Sequence, residues 1–104
     1  MSCKILTHYF FKEEMIEEGC EFVQEKLVQV AIEMGCYNIE LIQDELNSGH
    51  FITAGNWPTQ KDAESFQSVF SKQQDELMKY CKKSCRREMY QVKNTWSWKA
   101  QKAA

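Results

Sequence analysis

The chain contains two histidines, five cysteines and three tryptophans, the side chains from which most chemistry here would have to be built. His8 falls inside the apolar run ILTHYFF (residues 5–11), on the strand parity of Leu6 and Phe10. His50 opens HFITAGNW at a hairpin end and is expected to face solvent. An imidazole held away from water can act as a base near neutral pH, or can be a core side chain satisfied by one hydrogen bond. Trp57 stands before Pro58, the single proline, and there it can wall a pocket or simply close the end of the fold. The cysteines Cys3, Cys20, Cys36, Cys81 and Cys85 are odd in number. Their tightest spacing, Cys81-Lys-Lys-Ser-Cys85, is not the C-x-x-C of zinc or redox sites and has no histidine beside it. The spacing predicts five free thiols and no metal site.

The elements that must position these residues follow from periodicity. ILTHYFF is β-rich and of strand length. After Lys12-Glu13-Glu14, apolar residues recur at Met15/Ile16, Phe22/Val23, Leu27, Val30/Ala31 and Met34, the 3.6-residue period of a helix, with Gly35 as its stop. Residues 36–44 alternate, with Tyr37, Ile39 and Leu41 on one face; Asn47-Ser48-Gly49 is a turn, and residues 50–57 return as the second arm of a hairpin. Pro58 cannot donate to a sheet ladder, so that strand ends there, and Thr59 with Asp62 resembles a capping box opening the next helix. That helix carries Phe66, Val69, Phe70, Leu77, Tyr80 and Cys81 on one stripe, with a break expected near Ser71-Lys72. Residues 87–98 form the last expected strand, with Tyr90, Val92, Trp96 and Trp98 on one parity, and residues 99–104 read as a frayed tail. The order is βαββαβ: one domain, α+β, a ferredoxin-like antiparallel sheet with both helices on one face.

Composition narrows the function. With 43% apolar and 27% charged residues in 104, the chain is an ordinary globular one. It has neither a span of about 20 apolar residues nor a convincing secretory signal, so no membrane role and a cytoplasmic location are expected. Charge is asymmetric: residues 1–78 hold 5 Lys/Arg against 14 Asp/Glu, whereas residues 79–104 hold 8 against 1. The basic end is expected to meet the acidic helix of its own chain or of a partner subunit rather than nucleic acid. GHFITAGNW lacks the basic-aromatic run of an RNA-recognition strand, and HYFFKEE lacks the C-x-x-C of a metal chaperone. An amino-acid-sensing regulatory domain has the same topology and stays open.

The first strand is apolar on both sides, Leu6 and Phe10 on one, Ile5, Tyr9 and Phe11 on the other. A sheet with one solvated face should alternate cleanly. A second layer is required, and a second copy packed sheet against sheet is the economical one. Asn56, of opposite parity to Trp57, then points toward the dimer, as do Trp96 and Trp98.

The element order, the length and the segment GCYNIELIQDELNSGHFITAGNWPTQKDAESF resemble the antibiotic biosynthesis monooxygenase family of dimeric α+β barrels. In that family a glycine, a hairpin of this length and a strand ending in tryptophan precede a helix, and Gly35, residues 36–57 and the helix from Thr59 match, within a resemblance covering about residues 4–98. The resemblance implies a homodimeric, cofactor-independent monooxygenase of small quinols or phenolic, polyketide-like substrates. The alternative is a non-catalytic ligand-binding or stress-associated dimer. Gly55 stands where the family often has an acid, and Phe66 and Gln67 where it often has a histidine. Of the Asn, Trp and His of haem-degrading relatives only Trp57 has a counterpart, so no cofactor is expected. Because the first and third strands should be neighbours, His8 and Trp57 become the candidate catalytic pair. Thr53, Gly55, Phe66 and Phe70 become the candidate substrate-binding residues, with Gly55 leaving room beside the tryptophan.

Two outcomes test this reading. Sedimentation at micromolar concentration should give about twice the chain mass of 12.3 kDa, and a folded monomer would contradict it. Alkylation under denaturing, non-reducing conditions should add five groups, whereas three would reveal a bridge.

Overall fold

The computed structural model describes residues 2–97. Strand β1 (Cys3–Phe10) leads through a 3-10 turn, Glu13–Met15, into helix α1 (Ile16–Val23). Glu13, Glu14, Glu17 and Glu18 crowd this first turn, where the unpaired amides of a helix start favour negative charge. The helix runs on through a π-helical turn, Gln24–Val28, into α2 (Gln29–Glu33). Gly35 stops it with φ of +112°, the left-handed conformation that glycine adopts without strain.

Strands β2 (Asn38–Gln43) and β3 (His50–Trp57) form the hairpin. Its turn is closed by Asp44 N–H to the His50 carbonyl at 2.9 Å and by His50 N–H to the Asn47 carbonyl at 3.0 Å. Beyond Pro58 the side chain of Thr59 accepts from the Asp62 amide at 3.1 Å, the cap that starts α3 (Gln60–Ser65). Helix α4 (Gln67–Met78) follows, and β4 (Arg86–Gln91) completes the sheet. The strand order is β2-β3-β1-β4 and every pairing is antiparallel, the ferredoxin-like arrangement. The central strand β1 lies between β3, where Thr7 faces Thr53, and β4, where Thr7 faces Arg87.

Alternation along β1 divides the molecule. Cys3, Ile5, Tyr9 and Phe11 enter one core with Phe22, Val23, Leu27 and Ala31 of the first helical run and Phe66, Phe70 and Leu77 of the second. The even positions Leu6, His8 and Phe10 occupy the other side of the sheet, away from that core. No helix of the described residues is long and apolar enough to cross a membrane.

Several boundaries differ from the sequence reading. The second helix breaks at Phe66, between α3 and α4, rather than at Ser71-Lys72, because the Phe66 ring turns inward to pack on Trp57, 5.6 Å between centroids. Strand β4 ends at Gln91, not near residue 98. Past it, the Val92 N–H still reaches the Ser2 carbonyl at 3.0 Å. Trp96 is 75% exposed, and Trp98 and the expected tail, residues 99–104, lie outside the described residues. Among the described residues of this chain the ion pairs of the basic end are Lys79 with Glu76 and Arg86 with Glu88, and neither acid lies on the first helical run.

Gly19 permits the closest approach in this core. A Cβ there would lie 2.6 Å from Cδ1 of Phe11, whose side chain is fully buried. Gly19→Ala gains about 1 kcal/mol of helix propensity. Overpacking a closed core typically costs about 1–3 kcal/mol. The clash should win, so the thermal midpoint of Gly19→Ala should fall below wild type; a rise would show that Phe11 has room to shift.

Candidate functional site

The narrow cavity between helices and sheet is lined by Thr53, Gly55 and Trp57 of β3, Ile5, Thr7 and Tyr9 of β1, Phe66 and Phe70 of the second helical run, and Arg87 of β4. Leu27, Val28 and Ala31, flanking the π-helical turn, and Ile39 of β2 complete it. Five of the six sequence-predicted site residues therefore come together. Odd positions of adjacent antiparallel strands share a face here, and Phe66 and Phe70 are one helical turn apart. Trp57 is only 2% exposed. The free space is about 20 Å³, on the order of a single water, so in this state the pocket is closed over its own walls.

The sixth residue is elsewhere. His8 pairs with Ile52 across β1 and β3, has even parity, and points to the opposite face of the sheet from Trp57, so the expected His8–Trp57 pair does not form. The sequence reading placed the strands correctly as neighbours but did not carry His8's parity across the ladder. Gly55 also differs from expectation. A Cβ at Gly55 would touch Sγ of Cys36 at 3.3 Å and Cδ1 of Ile39 at 3.4 Å, so the room it leaves is taken up by those two side chains.

Two polar groups the sequence reading missed give the cavity its chemistry. The Tyr9 hydroxyl is 3.0 Å from Oγ1 of Thr53, and burial holds its pKa above the ordinary value, keeping it a neutral hydrogen-bonding phenol. Arg87 sits with its Cζ 5.0 Å from the centroid of the Phe70 ring, a cation over an aromatic face. Its Nε is buried and, among the described residues, has no hydrogen-bond partner. Burial pushes the guanidinium below its ordinary pKa. An arginine nevertheless stays charged in proteins. An enclosed, unpaired N–H on a cation is costly unless an acceptor completes it. The signal was present as the odd-parity member of the Arg86-Arg87 pair, once the strand is known to start at Arg86.

On the open face a different set assembles. Nδ1 of His8 lies 2.9 Å from Nε2 of His50, Nε2 of His8 is 2.8 Å from Oε1 of Glu88, and Nδ1 of His50 is 3.0 Å from Oδ2 of Asp44. His50, expected to face solvent, is instead stacked on Phe10 at 4.8 Å. His8 is 7% exposed. All five cysteines are free. Cys81 and Cys85 nonetheless touch: the Cys85 thiol donates to Cys81, which lowers the pKa of Cys81 and raises that of Cys85. Among the described residues no group of three or more His, Cys, Asp or Glu side chains is arranged to hold a metal ion.

No protein-family model matches the sequence, and no curated protein matches it. Solved structures do match its fold. An antibiotic biosynthesis monooxygenase superposes with a TM-score of 0.73 at 17% identity, covering 88% of this chain and 99% of its own. A conserved protein from Methanosarcina mazei Go1 gives 0.76 at 15% identity, covering 89% and 94%. A NIPSNAP family protein from Agrobacterium tumefaciens gives 0.68 at 10%, covering 90% and 95%. The chain therefore has the ferredoxin-like fold of the antibiotic biosynthesis monooxygenases, a fold that the NIPSNAP protein shares.

The carboxylates of the open face generate a pH prediction. The His50 hydrogen bond holds Asp44, and the His8 hydrogen bond holds Glu88, below the usual carboxylate range. A pKa depressed by folding adds stability above the unfolded value of about 4, and that stability is lost as pH falls through the folded value. The thermal midpoint should drop on acidification below about pH 4, and more shallowly in Asp44→Asn/Glu88→Gln. Equal slopes would contradict the pairing.

Proposed function

We propose that the helix–sheet cavity binds a small aromatic anion, a phenolate or enolate, and that the protein oxidises it with molecular oxygen without a cofactor. The observation that carries this reading is the unpartnered Nε of Arg87, a buried cationic donor among Trp57, Phe66 and Phe70. An aromatic ligand stacks on those rings, and its oxyanion completes the guanidinium. Trp57, Thr53, Gly55, Phe66 and Phe70 remain the substrate-binding residues, with Tyr9 as a neutral donor. His8 is no longer the base, because it opens onto the other face.

Among the described residues no imidazole or carboxylate lines the cavity, so the substrate's proton must leave to water as the ligand enters. Arg87 then favours the anion in a site with little water. An anthrone-type anion can pass one electron to oxygen, the resulting radical and superoxide combine to a peroxide, and loss of water leaves a carbonyl. One oxygen atom enters the substrate, and the other departs as water with the two hydrogens of the oxidised carbon. The cavity must widen for this. The side of Ile39 on the outer strand β2 and of Val28 beside the π-helical turn is where it can, since π-helical turns often mark functional sites. We also propose that a second copy covers the open face, which leaves Ile42 and Tyr90 exposed in the single chain.

One observation favours the non-catalytic alternative: the closed state offers about 20 Å³ and no base. Oxygen uptake with a panel of anthrones and hydroquinones, with no cofactor added, separates the two. The oxygenase reading expects uptake that Arg87→Met lowers about a hundredfold or more, the scale of a charge-assisted hydrogen bond in a dry site. Trp57→Phe should chiefly weaken binding. Tight binding of the same compounds without uptake would leave a ligand-binding protein.

A further inference from the structure

The open-face network fixes its own proton count. With Asp44 and Glu88 ionised, each needs an N–H from the ring it faces, and the His8–His50 contact needs one more. Three N–H groups on two imidazoles require one imidazolium and one neutral ring. A second proton would set N–H against N–H at 2.9 Å, and loss of the first would leave one of the three contacts without a hydrogen. The other charges facing the pair act against a second proton. Nη2 of Arg86 lies 3.4 Å and 3.5 Å from the His8 nitrogens, and Nζ of Lys83 stands 4.1 Å above the Phe10 ring on which His50 stacks. Tyr90 also helps hold the Glu88 carboxyl down.

Strand β4 is an edge strand, laddered to β1 alone. On the open face His8 holds Glu88, the neighbour of Arg87, by a 2.8 Å hydrogen bond, and Glu88 in turn pairs with Arg86 at 3.7 Å. Alternation then sends Arg87, and only Arg87 of the three, into the cavity. We infer that the singly protonated His8–His50 pair is a clamp that fixes edge strand β4 from the open face and thereby positions the Arg87 guanidinium for an anion in the pocket. The inference rests on the proposed anion site for its functional meaning, though the clamp itself does not.

Calorimetric titration of the full chain with 2-naphthoate tests it, because this aromatic carboxylate stays ionised above about pH 5 and its own charge is constant across the scan. In wild type the affinity should pass through a maximum where the pair holds one proton and fall on both sides. His8→Gln should bind about tenfold more weakly, one net hydrogen bond's worth, with a flat profile. His50→Gln, which leaves the His8–Glu88 contact in place, should keep most of the affinity and lose the maximum. It also carries the test if His8→Gln does not fold. A flat wild-type profile, or variants that bind with the wild-type profile, would overturn the inference. If wild type does not bind 2-naphthoate, the anion-site reading fails, and amide exchange decides the clamp separately. Amides of residues 86–91 should exchange about tenfold faster in His8→Gln than in wild type relative to those of β2, and unchanged exchange would overturn it.

Discussion

The period-two alternation of β1 is the constraint on which everything else in this structure depends. A strand in the middle of a sheet must send successive side chains to opposite faces. In β1 the odd positions Ile5, Thr7 and Tyr9 look into the helix-covered core, and the even positions Leu6, His8 and Phe10 look away from it. Slipping the register by one residue would bring an imidazole hydrogen-bonded to a carboxylate against Leu27 and Trp57, and would expose Ile5 and Tyr9. Burying that network unpaired costs far more than any single contact it makes. Apolar burial on one face and ionic pairing on the other thus specify the same register.

The same alternation on β3 and β4 gives each face its own chemistry. The core face collects Thr53, Trp57 and Arg87, so a cation ends among aromatic rings with one donor unfilled. The open face collects His50 and Glu88 around His8, so its polar groups complete one another. An unsatisfied group in one place and a satisfied network in the other are physically different things. The first asks for a ligand; the second stiffens what it ties together.

Much of this was legible in the sequence. The 3.6-residue stripe from Met15 to Met34, the stop at Gly35, the Asn47-Ser48-Gly49 turn and the Thr59–Asp62 cap each have a local cause, and each stands where its residues put it. So does the grouping of Thr53, Gly55, Trp57, Phe66 and Phe70, which needs only parity and helical spacing. What could not be read depends on partners far along the chain. The helix break falls at Phe66 because of Trp57, and the π-helical turn leaves no mark in the apolar pattern. His50 faces His8 across 42 residues, and Arg87 reaches the cavity only once β4 is known to start at Arg86 and to lie against β1. Parity of His8 against Trp57 was available, but only through the β1–β3 register that pairs Cys3 with Trp57.

In the proposed function Arg87, not either histidine, meets an aromatic anion inside the helix–sheet cavity. The Nε–H resonance of Arg87, followed by heteronuclear NMR as 2-naphthoate is added, tests it most directly. A large downfield shift of that proton is expected as it gains its missing acceptor, together with a shift of the Trp57 indole, while the imidazole nitrogens of His8 and His50 change little. Perturbations confined to the open-face imidazoles, with the Arg87 Nε–H unmoved at saturation, would contradict it.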